Sequence, residues 1–149
     1  MTEKKILRSK YINLRSSFSY QYISEAVCYK LFNLDVYKNC KNIFLYLSME
    51  KELNTKYIIN KAKKDKKQIF APVLTDKKGI MTFKKYNEKN LIKNKFNILE
   101  PINEEEKISD NNTLIIVPAI IYNKNKYRIG YGGGYYDKYL KENIYLCSV

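Results

Sequence analysis

Apolar and polar positions in the first part of the chain follow a helical rhythm. In the first fifteen residues, apolar side chains recur at helical spacing between lysines and arginines, which predicts a basic amphipathic helix. These apolar positions are Ile6, Leu7, Tyr11 and Leu14. A second helix is predicted after the serines at 16, 17 and 19, which favour the N-cap position, and we expect it to end within 33–39.

From residue 42 onward, short apolar runs alternate with helical segments, which is typical of an α/β fold. The run 42–48 is nearly continuous, the pattern of a strand that is covered on both faces of a parallel sheet. Thr55 is expected to cap the next helix. The side chains of that helix predicted to face inward are Ile58, Ile59 and Ala62.

The second half of the chain continues this alternation after a polar stretch. Residues 87–112 lack periodicity and predict a long surface connection. Residues 113–121 are the most apolar stretch and predict the central strand, whose regular part should end at Pro118. The other predicted elements are strands over 68–74 and 144–149, a strand over 80–86 that is antiparallel or at an edge, and a helix over 135–141. Together they predict one three-layer α/β sandwich over residues 1–149, with a mainly parallel sheet, helices on both faces and a cleft at the carboxyl ends of the strands.

Composition narrows the class of protein. A chain of 149 residues suits one domain, and it contains no apolar run of the roughly 18 residues needed to span a bilayer. The N-terminus is too polar for a secretory signal, so we expect a cytoplasmic protein. The cysteines, Cys28, Cys40 and Cys147, do not form the spacing of a disulfide framework or a zinc ribbon, and we expect them to be reduced. The sequence has no histidine, which excludes Ser-His-Asp and Cys-His nucleophiles and HExxH zinc sites.

The net charge of +13 suits a polyanionic partner, either RNA or a small polyanion such as ATP. Most of the excess is lysine. Its densest run, 61–67, has the pattern of the solvated face and end of a helix, where cations complement the helix dipole. Arginines, which nucleic-acid-binding surfaces more often interleave with aromatic side chains, occur only at positions 8, 15 and 128. The charge pattern therefore favours a solvated helix face over a nucleic-acid patch.

Glycine is concentrated in one short window. Four of the five glycines lie within 130–134, between Arg128 and Asp137. Backbone without side chains can wrap an anion with its N–H groups and lets a ligand approach closely. The helix predicted to follow adds free N–H groups and the positive end of a helix dipole. The window is therefore predicted to bind phosphate.

Asp137 lies in the first turn of that predicted helix, where its carboxylate would repel a bound phosphate unless a cation bridges the two. Mg²⁺ is the usual bridge. The spacing excludes the dinucleotide motif GxGxxG, because residue 135 is a tyrosine, and the chain contains no GxxxxGK[ST]. A purely structural alternative is a flexible turn with helix-capping glycines. Three successive glycines between aromatic residues disfavour it, because ordering them costs backbone entropy.

One segment resembles the signature of the 5-formyltetrahydrofolate cyclo-ligase family, also called methenyltetrahydrofolate synthetases: Arg128-Ile-Gly-Tyr-Gly-Gly-Gly-Tyr-Tyr-Asp-Lys-Tyr-Leu140. Three further segments resemble the family in the same order, namely 4–8, 46–55 and 114–118. The resemblance implies an ATP- and Mg²⁺-dependent conversion of 5-formyltetrahydrofolate to 5,10-methenyltetrahydrofolate, with release of ADP and phosphate. It also implies that the formyl oxygen is phosphorylated before N10 attacks the formyl carbon.

The resemblance implies roles for individual residues. Arg128 and Tyr135 would be catalytic, and Asp137 would bind Mg²⁺. ATP would contact Lys4, Lys5, Arg8, Arg128, Ile129, Gly130, Tyr131, Gly132, Gly133, Gly134, Tyr135 and Tyr136. The folate would contact Leu47, Glu52, Tyr131, Gly132, Gly133, Gly134 and Tyr135, with the Glu52 carboxylate accepting hydrogen bonds from the pterin. The expected partners are therefore 5-formyltetrahydrofolate and MgATP, without nucleic acid or membrane, and we expect a monomer.

The sequence departs from the family pattern in two places. Relatives continue into a strand that ends with a second acidic residue near the metal, whereas this sequence ends at Val149, so we expect the C-terminal strands to be missing. Some relatives place a lysine where this chain has Gly133. Two alternatives stay open: a nucleotide-binding but catalytically incomplete homologue, and a basic, tyrosine-rich RNA-binding module. Glu52, Lys4 and Arg8 could also be ordinary solvent-exposed side chains.

Overall fold

Five helices and eight strands are present in the computed structural model, which describes residues 2–15 and 17–142. The helices are α1 (Glu3–Arg15), α2 (Tyr20–Asn33), α3 (Asp35–Asn39), α4 (Lys56–Lys64) and α5 (Tyr135–Glu142). The strands are β1 (Asn42–Leu45), β2 (Gln68–Leu74), β3 (Met81–Lys85), β4 (Leu91–Lys93), β5 (Leu99–Pro101), β6 (Thr113–Ile116), β7 (Ile121–Tyr122) and β8 (Arg128–Ile129).

Four strands form the main sheet, in the order β3-β2-β1-β6. β1 is parallel to both of its neighbours, and Ile43 is in register with Ile69 of β2 and with Leu114 of β6. β3 pairs antiparallel with β2 at one edge. The predicted α/β fold with a mainly parallel sheet is therefore confirmed, and so is the edge position predicted for the strand over 80–86.

β6 is shorter than the predicted strand over 113–121. It ends at Ile116, two residues before Pro118, and the chain then leaves the main sheet to form the β7–β8 hairpin. Within the described residues β6 pairs with β1 alone. The predicted strand over 144–149 lies outside the described residues, and so does Cys147.

The sheet carries a hydrophobic core on each face, because successive side chains of a strand point to opposite sides. Ile43 and Leu45 of β1 pack in the cluster formed with α2, α3 and α4. Phe44, between them, faces the other way and stacks on Phe83, with 4.5 Å between the ring centroids. Tyr139 of α5 packs against the same phenylalanine cluster. Helices therefore cover both faces of the sheet, as predicted for a three-layer sandwich.

The helix predictions are confirmed with differences at the helix ends. α2 ends at Asn33 and the short α3 follows it. Ser19 and Thr55 occupy the N-cap positions of α2 and α4, but neither side chain makes a capping hydrogen bond. The Thr55 backbone is already helical, and its hydroxyl accepts a hydrogen bond from the Ser48 backbone N–H instead. The inward positions predicted for α4 are buried: Ile58, Ile59 and Ala62.

The prediction of an irregular connection over 87–112 was wrong in part, because this stretch contains the β4–β5 hairpin. A buried carboxylate, Glu100, fixes the hairpin to the main sheet by accepting hydrogen bonds from the Leu74 backbone N–H at 2.9 Å and from the Asn94 side-chain amide at 2.8 Å. Three-residue strands are too short to establish a period in the sequence. The hairpin could therefore not be separated from a loop by pattern alone.

In the described ranges, no helix combines the length and the apolar character that crossing a membrane requires.

Cys28 and Cys40 are free and buried, and burial raises the pKa of the Cys28 thiol to about 11. These two thiols are therefore protonated packing groups in the core beneath α2 and α3.

Candidate active site

The glycine window forms a loop between β8 and α5. Gly132 and Gly134 have φ angles of +105° and +71°, which side-chain-bearing residues rarely adopt, so the loop needs glycine at these two positions. The loop leads directly into α5, whose first turn closes with the Lys138 N–H donating to Gly134 O at 3.0 Å. On the other side, Ile129 O accepts a hydrogen bond from the Ile120 N–H at 2.8 Å. The loop is thus held between the β7–β8 hairpin and a helix N-terminus.

Helix α1 brings a guanidinium group to this loop. Arg8 Nε donates to Gly130 O at 2.8 Å. A Cβ atom placed on Gly132 would lie 3.4 Å from Arg8 Cζ, so the Arg8 head lies over the loop. Lys4 is one turn earlier on the same helix face, and both Lys4 and Lys5 are exposed. Of the three predicted basic residues of α1, the structure therefore places Arg8 directly against the glycines and the two lysines nearer solvent.

A second guanidinium lies beside the loop. Arg128 Nη1 donates to Pro118 O at 3.3 Å, and its Nη2 forms an ion pair with the Asp137 carboxylate. The Arg128 head also lies 6.0 Å from the centre of the Tyr136 ring. Two arginines from distant parts of the chain thus lie against one glycine loop, Arg8 through its bond to Gly130 O and Arg128 in its ion pair with Asp137.

Asp137 has most of its side chain exposed, and its partner in this structure is Arg128. Mg²⁺ is typically held by one or two carboxylates together with waters and substrate phosphates, so an exposed aspartate beside the glycine loop is a suitable ligand for it. In residues 2–15 and 17–142, no group of three or more His, Cys, Asp or Glu side chains is placed to hold a metal ion.

The turn after β1 presents the second predicted group of residues. Glu52 is only 7% exposed, and its Oε2 accepts a hydrogen bond from the Met49 backbone N–H at 2.8 Å. The Glu52 backbone N–H donates a hydrogen bond to Met49 O at 3.1 Å. The side chain and the backbone of Glu52 therefore close the same turn. Leu47 is half-buried and packs against the main core. A buried carboxylate in a fixed turn is not an ordinary exposed loop acid.

Three tyrosines surround the Glu52 carboxylate. The pKa of Tyr46, of Tyr131 and of Tyr136 is raised above its usual value, in each case mainly by burial and further by the negative charge of Glu52. All three hydroxyls therefore stay protonated at neutral pH. Because Tyr131 belongs to the glycine loop, the surroundings of Glu52 adjoin that loop.

The Tyr136 hydroxyl is buried and, among the residues that the structure describes, finds no hydrogen-bond partner. A buried polar group without a partner is costly, and native structures usually supply it with a ligand or an ordered water. Tyr135, the preceding residue, lays its ring against the loop: a Cβ atom on Gly133 would be 2.7 Å from two of its ring carbons. The two tyrosines at the start of α5 thus have different surroundings.

Arg15 and Tyr46 belong to this site and were not predicted from the sequence. Arg15 Nη1 donates to the Tyr131 hydroxyl at 3.1 Å. Arg15 lies seven residues after Arg8, which is two helical turns, so both arginines lie on the same face of the predicted helix. This spacing could have indicated that the two side chains act at the same site. Tyr46 follows β1 directly, and its hydroxyl donates to Leu53 O at 3.3 Å. Its apolar neighbours gave it the pattern of a core residue.

Comparison with known proteins gives a consistent result. A family model described as the 5-formyltetrahydrofolate cyclo-ligase family matches residues 2–147. A probable 5-formyltetrahydrofolate cyclo-ligase of Schizosaccharomyces pombe is 35% identical over 124 residues, which are 80% of this chain and 61% of the relative. The 5-formyltetrahydrofolate cyclo-ligase of Haemophilus influenzae is 32% identical over 78% of this chain and 65% of its own length. The chain thus spans about three fifths of the length of these relatives.

Solved structures support the same relationship. The NMR structure of Aquifex aeolicus 5,10-methenyltetrahydrofolate synthetase superposes with a TM-score of 0.82 at 25% identity, covering 99% of this chain and 77% of that one. A 5,10-methenyltetrahydrofolate synthetase from Mycoplasma pneumoniae shares the fold, with a TM-score of 0.70 at 21% identity over 95% of this chain and 79% of that one. The family model covers residues 2–147, which include both the glycine loop and the Glu52 turn. Because this match extends over nearly the whole chain, the chain belongs to the 5-formyltetrahydrofolate cyclo-ligase family.

Proposed function

We propose that this chain catalyses the ATP- and Mg²⁺-dependent cyclisation of 5-formyltetrahydrofolate to 5,10-methenyltetrahydrofolate, with release of ADP and phosphate. The observation that carries the proposal is the convergence of Arg8 and Arg128 on the glycine loop, directly beside the buried carboxylate of Glu52. The glycine loop and the surroundings of Glu52 share one residue, Tyr131. This arrangement suits a reaction between a nucleotide and a second substrate that carries N–H groups.

The nucleotide half consists of the loop and the basic side chains around it. The backbone N–H groups of the glycine loop and the N-terminus of α5 would face the phosphates, with Arg8 and Arg128 supplying positive charge. Lys4 and Lys5 would extend the same field toward solvent. The remaining residues of the proposed ATP contact are those of the loop and its ends: Ile129, Gly130, Tyr131, Gly132, Gly133, Gly134, Tyr135 and Tyr136.

The folate half is the pocket around Glu52. Its carboxylate would accept hydrogen bonds from the N–H donors of the pterin, while Leu47 and Tyr131 to Tyr135 would border the ring. The unpartnered hydroxyl of Tyr136 supports the presence of a ligand or ordered water in this region. Because Glu52 is buried, its hydrogen bonds to a ligand would be stronger than those of an exposed carboxylate.

The chemistry explains why the reaction would need ATP. N10 can close the ring only if the formyl oxygen leaves, and this oxygen is a poor leaving group. In the proposed sequence the formyl oxygen attacks the γ-phosphorus, the bond from that phosphorus to the β,γ-bridging oxygen breaks, and ADP leaves. N10 then bonds to the formyl carbon and loses its proton, while the carbon–oxygen bond breaks and phosphate departs with the original formyl oxygen.

The chain's own contribution would be positioning and charge stabilisation, which dominate catalysis of phosphoryl transfer and require no histidine. Arg128 would stabilise the negative charge of the transferring group. Tyr135, held against Gly133, would fix the formyl end of the folate near that group. Asp137 would hold Mg²⁺, which supplies charge neutralisation at the phosphates. We also propose that the protein acts in the cytoplasm as a monomer.

Turnover tests the proposal directly. The protein is mixed with 5-formyltetrahydrofolate and MgATP, and the near-ultraviolet absorbance of the methenyl product is followed. The absorbance should rise only when both ATP and Mg²⁺ are present. Stoichiometric MgATP binding without any rise would support the catalytically incomplete homologue instead. Multisite RNA binding that weakens steeply with salt, without MgATP binding, would support the RNA-binding module.

A further inference from the structure

Helix α1 reaches the glycine loop through polar contacts. None of its residues is buried, and its apolar side chains Ile6, Ile12 and Leu14 remain exposed. An isolated helix of 13 residues is marginally stable in water. Two arginines of α1 hydrogen-bond to the glycine loop, Arg8 to Gly130 O and Arg15 to the Tyr131 hydroxyl.

Arg15, the last residue of α1, contacts three separate segments. Nη1 donates to Lys51 O at 3.4 Å, in the turn that carries Glu52, and to the Tyr131 hydroxyl of the glycine loop at 3.1 Å. Nη2 donates to Ile120 O at 3.0 Å and to Ala119 O, in the connection between β6 and β7. One guanidinium group thus joins both halves of the site to the helix that carries Arg8.

We propose that Arg15 is a positioning residue that sets the geometry of both substrate sites at once, an inference that rests on the proposed function. Through the rigid helix it fixes where Arg8 lies over Gly130, and through the hydroxyl it fixes Tyr131 beside Glu52. The planar fork of arginine can serve four acceptors together, whereas the compact ammonium of lysine cannot. A lysine at this position would keep the charge and lose the geometry.

The location of the acceptors argues against a role in stability alone. They lie next to the predicted folate residue Glu52, in the predicted nucleotide loop, and at the start of the hairpin that leads to Arg128. A shift at the end of α1 moves Arg8 by a similar amount, because the two residues are on one helix. Small misplacements of groups that contact substrate are costly.

The test compares Arg15→Lys and Arg15→Gln with a matched control, Lys10→Gln, which removes one cation from the exposed middle of the same helix. Dissociation constants for MgATP and for 5-formyltetrahydrofolate are measured by calorimetry, and protection of the α1 amides by hydrogen exchange. Both Arg15 variants should raise the dissociation constants for MgATP and for the folate by about tenfold each. This is the size expected for losing hydrogen bonds to a charged group. Lys10→Gln should change neither.

A double-variant cycle separates positioning from direct contact. If Arg15 acts through Arg8, the MgATP affinity of the Arg8→Gln/Arg15→Gln double variant should match that of Arg8→Gln within about twofold. The inference would be overturned if the losses of MgATP affinity in the two single variants add up in the double variant. It would also be overturned if Arg15→Lys binds both ligands with wild-type affinity, even if the α1 amides lose their protection from hydrogen exchange. Failure of the proposed function looks different, because it is seen in the wild-type protein, which would then form no methenyl product from 5-formyltetrahydrofolate and MgATP.

Discussion

Gly133→Ala tests how tightly the glycine loop positions Tyr135. The added Cβ atom would lie 2.7 Å from two carbons of the Tyr135 ring, whereas ordinary contacts are 3.4–4 Å. The backbone of Gly133 has no positive φ, so the methyl group meets the ring and little else. The ring must therefore move by several tenths of an ångström.

The size of the effect follows from this displacement. Misplacing a substrate-contacting group by about 1 Å costs up to about 100-fold in rate, so kcat/KM for the cyclisation should fall about 10- to 100-fold. Forcing a methyl group into a packed contact costs about 1 kcal/mol or more of stability. Because Tyr135 is half-buried and can turn toward solvent, we expect a loss near the lower limit of about 1 kcal/mol in the free energy of unfolding. This loss corresponds to a decrease of about 0.5 M in the urea concentration at the unfolding midpoint.

Two comparison variants make the test specific. In a Tyr135→Ala background the obstructing ring is gone, so adding Gly133→Ala should lower kcat/KM by no more than about twofold. Gly134→Ala meets no atom within 4 Å but has a φ of +71°, so it reports backbone strain alone, about 1 kcal/mol in urea denaturation. If Gly133→Ala has wild-type kcat/KM, or loses the same factor with and without the Tyr135 ring, the loop does not act by positioning that ring.

Three further predictions follow. Asp137→Ala should abolish most Mg²⁺-dependent turnover while leaving the urea midpoint unchanged, because the side chain is 74% exposed; a wild-type rate would contradict the metal assignment. Glu52→Gln should raise the KM for the folate about tenfold or more with little change in stability, since the amide oxygen can still accept the Met49 N–H; an unchanged KM would contradict the pterin contact. Buried Cys28 keeps its proton while an unfolded thiol loses it, so the free energy of unfolding should fall as pH rises from 9.0 to about 11. Equilibrium denaturation of Cys28→Ala should show a shallower fall over that range, and an equal slope would argue against the thiol as a cause.

Much of the fold was readable from the sequence because it depends on long, regular patterns. The continuous run around Phe44 predicted a doubly covered strand, and the structure buries both of its faces. The β4–β5 hairpin was missed because three-residue strands carry no period, and its anchor is a tertiary contact of Glu100. β6 was predicted too long, since the chain leaves the main sheet after Ile116 and Ile121 pairs with Ile129 in the β7–β8 hairpin instead.

The candidate site was predictable where chemistry is concentrated in a motif. The glycine loop, Arg128 and Asp137 form one contiguous signature, and the structure places them together. Arg15 and Tyr46 join the site only through folding, from a helix end and a strand end that are distant in sequence. A single sequence does not display such long-range contacts, because composition and spacing report local structure.

The central claim is that ATP phosphorylates the formyl oxygen, which then leaves as one of the oxygens of phosphate. Isotope transfer would test this claim most directly. The protein is incubated with MgATP and 5-formyltetrahydrofolate that carries ¹⁸O in the formyl group, and the inorganic phosphate is analysed by mass spectrometry. The account predicts methenyl product together with one labelled oxygen in each phosphate released. Unlabelled phosphate, or product formed without ATP, would contradict it.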